Sequence, residues 1–254
     1  MTSDPAVLTT LIDGVAHIEL NRPQAYNAAD TAACAALADA VTAAQADEQA
    51  KVILLTGRGR AFCAGGDVKA MADAQEPAHM IYELAEASHR AVRAMSALTK
   101  PLIAAVHGSA AGAGLGYVCA ADIVLAGEST KFLTAFIAIG VSPDSGVSWH
   151  LSRIIGHHRA LEMMLLNRVL TASEAHDWGL VTSVYPDDAV QDTGLELAKR
   201  LAAGPFDALG KTRRLAHESF KRTLDDHLDA ERDSITSLIE GDAAQQLIAK
   251  FAGR

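Results

Sequence analysis

Between Lys100 and Asp122 the chain reads KPLIAAVHGSAAGAGLGYVCAAD, and this stretch constrains the fold more than any other. Leu102 to Val106 is a short unbroken apolar run, as expected of a strand buried on both faces. Gly108 to Gly114 contains only Gly, Ala and Ser. Leu115, Val118 and Cys119 then repeat at helical spacing. The order is strand, tight turn, buried helix. At a helix start the first N–H groups lack intrahelical acceptors and sit at the positive end of the helix dipole. With side chains this small, a ligand can reach the backbone itself. Taken alone, the turn is also explained by close packing of a helix on a strand.

A second stretch of the same kind lies earlier. Lys51 to Thr56, KVILLT, reads as a buried strand, and RAFCAGGDV follows from Arg60 to Val68. Ala64-Gly65-Gly66 is again a turn that exposes the backbone. Asp67 begins the next helix, where a carboxylate favours the dipole. Two strands are thus each followed by a small-residue turn and a helix start. One N–H from each turn can converge on a single oxygen and stabilise charge developing on a carbonyl. Each such donor is typically worth roughly 3 kcal/mol of barrier.

The remaining elements place these turns in an α/β chain. Val7 to Leu11 and Val15 to Leu20 flank Asp13-Gly14, a hairpin pattern. Ala28 to Ala46 is Ala-rich and helical, with Asp30 or Thr31 as N-cap. Met71 to Ala97 is helical with an interruption near Pro77. Asp122 to Ala126 reads as a strand and Thr130 to Leu133 as a short extended piece. Ser142-Pro143-Asp144-Ser145-Gly146 is a turn that launches a helix. Leu161 to Asn167 and Ser173 to Trp178 read as helices, and Leu180 to Val184 as a strand closed by Pro186. From Asp187 the pattern gives four helices.

Charge and cysteines narrow the partners. The formal net charge is −9 with no basic run, which argues against nucleic acid. Cys34, Cys63 and Cys119 form neither a CxxC nor a Cys/His cluster of metal spacing, so no metal site is expected. They read as reduced core residues of a cytoplasmic protein. MTSDPAVLTT has no basic region followed by an apolar core, and no stretch approaches the ~20 apolar residues of a membrane span.

RAFCAGGDV, PLIAAVHGSAAGAGLGYVCAADIVLA and TASEAHDWGLVTSVYP together resemble the crotonase, or enoyl-CoA hydratase/isomerase, superfamily. The resemblance runs from Asn21-Arg22-Pro23 to Phe251. It implies a crotonase-like spiral β-β-α core over residues 1–200 carrying an acyl-CoA site, and a C-terminal helical trimerisation region over 201–254. It implies homotrimers or dimers of trimers, and no tightly bound cofactor, with coenzyme A arriving as part of the substrate. The thioester carbonyl would sit between the N–H groups of Gly66 and Ala113. Most relatives carry Gly at the second position; an Ala keeps the N–H, and its methyl is tolerated where φ is negative. Coenzyme A would run along Ala25, Ala64, Gly65, Asp67, Val68, Gly112 and Phe136. Phe251 and Arg254 would cover its nucleotide, although Arg254 also reads as a frayed terminus and Asp67 as a helix cap.

The same resemblance bears on the reaction. The two glutamates of the hydratases fall at Gly116 and Phe136, and neither residue can move a proton. Two-Glu hydration is therefore disfavoured. Asp144 occupies the position of the carboxylate in the isomerase branch, where one group takes a proton from one carbon and returns it to another. Its alternative role is a helix N-cap. Phe136, Ile137 and Trp149 are expected to make the surrounding pocket apolar. His89 matches the histidine of the 4-chlorobenzoyl-CoA dehalogenase branch, which pairs it with an aspartate at the Asp144 position. That branch's tryptophan aligns with Phe136 and its bulky oxyanion-turn residue with Gly66, so half of its markers are absent. A helical His is also commonly structural. Dihydroxynaphthoyl-CoA synthase carries a similar aspartate but shares nothing more specific. A protein that binds acyl-CoA without turnover is the reading from another class.

Overall fold

The computed structural model describes residues 4–253. Strands β1 (Val7–Ile12) and β2 (Val15–Leu20) form the expected antiparallel hairpin, with Asp13 and Gly14 both at positive φ, as a two-residue turn requires. After a single 3-10 turn at Pro23–Ala25 comes helix α1 (Thr31–Ala46). Asp30 is its N-cap, accepting from the Ala33 N–H at 2.7 Å. Next are β3 (Val52–Gly57), α2 (Val68–Ala72), α3 (Pro77–Ala97), β4 (Leu102–Val106), β5 (Ser109–Ala111) and α4 (Ala113–Cys119). Pro77 opens α3 in the first turn, where its missing N–H is tolerated. The chain continues through β6 (Ile123–Gly127), β7 (Lys131–Leu133), α5 (Val147–Ile154), α6 (His157–Leu166), β8 (Leu170–Thr171), α7 (Ala172–Asp177) and β9 (Ser183–Tyr185). It ends with α8 (Val190–Ala202), α9 (Phe206–Glu218), α10 (Leu224–Ile239) and α11 (Asp242–Phe251).

Two sheets result. The larger has the order β1-β2-β3-β4-β6-β9 and is parallel after the first hairpin. The smaller has the order β5-β7-β8. Every residue of β3 and β4 is buried, which explains their unbroken apolar runs. One face of the large sheet packs with α1, α3 and α4. The other packs with α8 through Val190 and Ala198. Fully burying each such Val, Leu or Ile stabilises the fold by roughly 1.5–3 kcal/mol. This is the spiral of stacked strands and helices that the resemblance implies.

Three local expectations are corrected. Ser109–Ala111 is a strand, not part of a turn: Ser109, Ala110 and Ala111 pair with Lys131, Phe132 and Leu133. These residue types have little strand preference, and cross-strand pairing overrides it. The last strand is Ser183–Tyr185 and not Leu180–Val184, because the N–H groups of Leu180 and Val181 both return to the Ala175 carbonyl and close α7. Helix α6 begins at His157, four residues before the periodic apolar run, with Gly156 as its N-cap.

The helices expected after Asp187 are α8 to α11. Arg213 docks α9 onto the core. Its buried guanidinium donates to the Met95 carbonyl at 2.9 Å, to the Leu98 carbonyl, and to Asp122 at 2.7 Å. His217 meets the other oxygen of Asp122 at 2.9 Å. Burial alone would raise the Asp122 carboxyl. The His217 hydrogen bond and the Arg213 charge outweigh it and hold the group below its usual range.

Candidate active site

The two glycine turns meet. Cys63 and Ala110 are paired as a parallel bridge, with the Ala111 N–H donating to the Cys63 carbonyl at 3.0 Å. Gly65 and Gly112 then face each other so closely that a Cβ on Gly112 would lie 3.4 Å from the Gly65 Cα. A second bridge joins Gly66 to Ala29, through the Ala29 N–H to the Gly65 carbonyl (2.7 Å) and the Asp67 N–H to the Ala29 carbonyl (3.1 Å). In that pattern the N–H of Gly66 points away from Ala29. Gly112 has φ +50° and ψ −120°, open to glycine and very few other residues, and it is the N-cap of α4 without a side-chain cap bond. Ala113 is the first helical residue, is not among the positive-φ residues, and so accommodates its methyl. Among the described residues neither the Gly66 N–H nor the Ala113 N–H donates to a protein acceptor.

The carboxylate comes from the turn before α5. Asp144 is not the cap of that helix: Gly146 is, at φ +74°. Asp144 instead accepts from the Ser145 hydroxyl at 2.8 Å. The turn reaches this place because Gly116 has no side chain. A Cβ there would run into the Ser145 carbonyl oxygen and stand 2.9 Å from its Cβ. The position at which a hydratase glutamate is expected is thus filled by the main chain of the aspartate's neighbour. The 3-10 turn Phe136–Ile139 sets the second such position, with the Phe136 ring near Gly112.

These elements enclose a cleft of about 650 Å³. Of the expected site residues, Gly66, Ala113, Asp144, Ala64, Gly65, Val68, Gly112 and Phe136 all line it. Ala25, Asp67, His89 and Phe251 are not among its lining residues. Asp67 is the N-cap of α2, accepting from the Ala70 N–H, and faces Arg22 at 3.4 Å. Phe251 is 97% exposed at the end of α11. Arg254 lies outside the described residues. The pocket is apolar, though not through the residues expected beside Phe136. Ile137 and Trp149 are not among its lining residues, and Met71, Leu84, Ile139 and Val141 supply the walls with Phe136.

Sequence reasoning missed three residues. Ser88 lines the cleft from α3, one position before His89, and its hydroxyl lies 2.7 Å from that of Ser145. Tyr117, on α4, meets Ser88 at 3.1 Å. Arg22 ties Asp30 at 3.0 Å and the Ala28 carbonyl behind the first turn. The left-handed φ of +51° at Ser145 left no mark, since serine has no general preference for it. The only available signal was the Ser-Gly pair after Pro-Asp.

Comparison with known proteins places the chain in a family. The profile described as enoyl-CoA hydratase/isomerase matches residues 11–254. The chain is 38% identical over 229 residues to the 1,2-epoxyphenylacetyl-CoA isomerase of Escherichia coli (strain K12), covering 89% of this chain and 87% of that one. It is 31% identical over 254 residues to 4-chlorobenzoyl coenzyme A dehalogenase-2 of an Arthrobacter species, covering 99% and 92%. The crystal structure of an enoyl-CoA hydratase from Polaromonas sp. JS666 superposes with a TM-score of 0.92 at 30% identity, over 97% of this chain and 96% of that one. With its profile matched over nearly the whole chain and its fold shared with solved members, the protein belongs to the enoyl-CoA hydratase/isomerase family.

Proposed function

We propose that the protein is an acyl-CoA isomerase that shifts a double bond or rearranges an enoyl thioester through an enolate. The single observation that carries this is Asp144, the carboxylate lining a mostly apolar cleft that also holds Gly66 and Ala113. The thioester carbonyl oxygen accepts from the N–H groups of these two residues. Asp144 removes a proton beside the carbonyl, the negative charge moves onto the held oxygen, and the same carboxyl returns the proton to a more distant carbon. No atoms are gained or lost. General acid–base transfer of this kind contributes roughly 10²- to 10⁴-fold, and each oxyanion donor a comparable share. Coenzyme A is a part of the substrate, and Ala64, Gly65 and Val68 line the end of the cleft nearest the first turn. The protein works as a homotrimer or a dimer of trimers, and the apolar residues Leu224, Leu228, Ile235 and Ile239 exposed on α10 offer a face for a subunit interface.

A dehalogenase-like hydrolysis using Asp144 and His89 is the second reading, favoured by the similarity to the Arthrobacter enzyme along the whole chain. The absence of His89 from the cleft lining weighs against it. Two-Glu hydration has no acid at Gly116 or Phe136 to support it. A panel of 2-enoyl-, 3-enoyl- and halobenzoyl-CoA separates these readings. Interconversion of the first two is the expected result. Halide release would favour the second reading, and absence of both turnover and α-proton exchange in D₂O would leave a passive binder.

A further inference from the structure

Behind Asp144 runs a line of buried hydroxyls that the reaction just described does not use. The Ser145 hydroxyl lies 2.8 Å from Asp144 Oδ1, Ser88 2.7 Å from Ser145, Tyr117 3.1 Å from Ser88, and the Cys34 sulfur 3.3 Å from Tyr117. Ser145, Ser88, Tyr117 and Cys34 are 0%, 1%, 2% and 1% exposed. The groups come from the turn before α5, from α3, from α4 and from α1.

The direction of each bond follows from donor counting. An ionised carboxylate only accepts, so Ser145 donates to it. A hydroxyl has one proton, so Ser145, having given its own, accepts from Ser88. Ser88 in turn accepts from Tyr117. Burial pushes the Tyr117 phenol well above its usual range and raises the Cys34 thiol, so both keep their protons as donors. All four groups therefore point their donors the same way, and such chains reinforce one another in a dry interior.

Two features show that the backbone is shaped to this end. Ser145 holds a left-handed conformation, uncommon for a residue other than glycine. Gly116 leaves the space that the Ser145 carbonyl and Cβ approach. Without both, the Ser145 hydroxyl would not stand between Ser88 and Asp144.

We propose that Ser145 and Ser88 are positioning residues: they hold Oδ1 of Asp144 in place, so that Oδ2 is the oxygen that carries the proton between substrate carbons. The inference rests on Asp144 being the acid/base. Oδ1 is occupied by the Ser145 donor through both halves of the cycle, whether Oδ2 is bare or protonated. Rotation of the carboxyl is blocked by a bond that is itself anchored three residues deep. The effect is on the geometry of proton transfer and not on thioester binding, which falls to the backbone amides and the apolar walls.

The test is steady-state isomerisation of trans-3-hexenoyl-CoA by the full chain, with thermal melts confirming that each variant is folded. Ser145→Ala is expected to lower kcat roughly 10- to 10²-fold, the scale of a misplaced reacting group, with KM near wild type. Ser88→Ala is expected to act in the same direction. The double variant should be no worse than Ser145→Ala alone, because both act through one oxygen. Should Ser145→Ala fail to fold, Ser145→Gly removes the same hydroxyl and suits the left-handed backbone. Wild-type kcat in the folded Ser145 variants, a change confined to KM, or multiplicative losses in the double variant would each overturn the proposal. Asp144→Asn is assayed alongside. If it is inactive while the serine variants are normal, only the positioning role fails. If it retains turnover, or if the wild type turns over neither this thioester nor any of the panel, the acid/base reading fails and this one with it.

Discussion

Helix α4 lacks a side chain of any size at two places, at its start (Gly112 and Ala113) and at Gly116, for opposite reasons. At Gly112 and Ala113 the bareness uncovers the Ala113 N–H, and both residues line the cleft. At Gly116, three residues on, the bareness admits another part of the chain, and the Ser145 main chain fills the space. The helix start thus presents its own backbone, while position 116 gives up its side chain so that a carboxylate can be delivered from elsewhere. Within a shared fold, a reacting group can be replaced by a neighbour when the space it needs is vacated.

The largest effect should come from the delivered side of this comparison. Asp144→Asn keeps the shape and the bond from Ser145 but removes the base. We expect kcat to fall by about 10²- to 10⁴-fold. Affinity for a non-reacting acyl-CoA, measured by calorimetry, should stay near wild type. Full turnover by this variant would dissolve the contrast between the two ends.

Next in size is Gly116→Ala. The methyl must displace the Ser145 carbonyl, and with it the whole Ser142–Gly146 turn. Overpacking of this kind costs about 1–3 kcal/mol of stability, readable by denaturant unfolding. Turnover should drop by up to ~10²-fold through misplacement of Asp144. A Gly116→Ala protein with normal activity would show that the turn does not depend on the empty position.

Both glycine turns were legible in the sequence because their chemistry resides in backbone atoms. Runs such as Ala64-Gly65-Gly66 and Gly112-Ala113-Gly114 leave no doubt that side chains have been withdrawn. The strands β3 and β4 were legible for the related reason that burial on both faces demands unbroken apolar residues. What escaped was whatever depends on contacts distant in sequence. Strand β5 is made of Ser and Ala and exists because β7 and Cys63 pair with it. Ser88 and Ser145 are 57 residues apart, and neither carries a local signal of its partner. In the sequence both Asp67 and Asp144 could serve as helix caps, Asp144 only as the alternative to its catalytic reading; the fold shows that Asp67 caps α2 while Gly146 takes the cap of α5. His89 was drawn into the candidate site by alignment, yet the face of α3 that lines the cleft is Ile81, Leu84, Ala85 and Ser88.

A smaller effect tests the uncovered end. Ala113→Gly keeps the N–H and restores the residue that most relatives are expected to carry. Ala113 already has an ordinary helical backbone, so the change relieves nothing and should lower stability by roughly 0.5–1 kcal/mol through chain entropy. Turnover should remain close to wild type. The same Ala/Gly exchange that is damaging at Gly116 is thus expected to be mild three residues earlier, and paired melting and kinetic measurements on the two variants would reverse the contrast if the roles were misassigned.

The smallest effect is an acid sensitivity on the delivered side. His150, on α5, packs against Gly146, and burial first, then the nearby His217 and Arg153 charges, lowers its pKa to about 4. The unfolded chain takes up this proton near pH 6.5. Between those two values the unfolded state binds more protons than the folded one, so stability falls as pH drops and is fully present above 6.5. Asp122, held low beneath α9, adds a loss in the same direction at still lower pH. His150→Gln removes the first titration only. Its melting temperature should therefore decline less than that of the wild type between pH 6.5 and 4.5, while the two proteins keep parallel slopes above pH 7. Equal slopes throughout the acid range would mean that His150 contributes nothing to the acid lability of the helix that carries the aspartate turn.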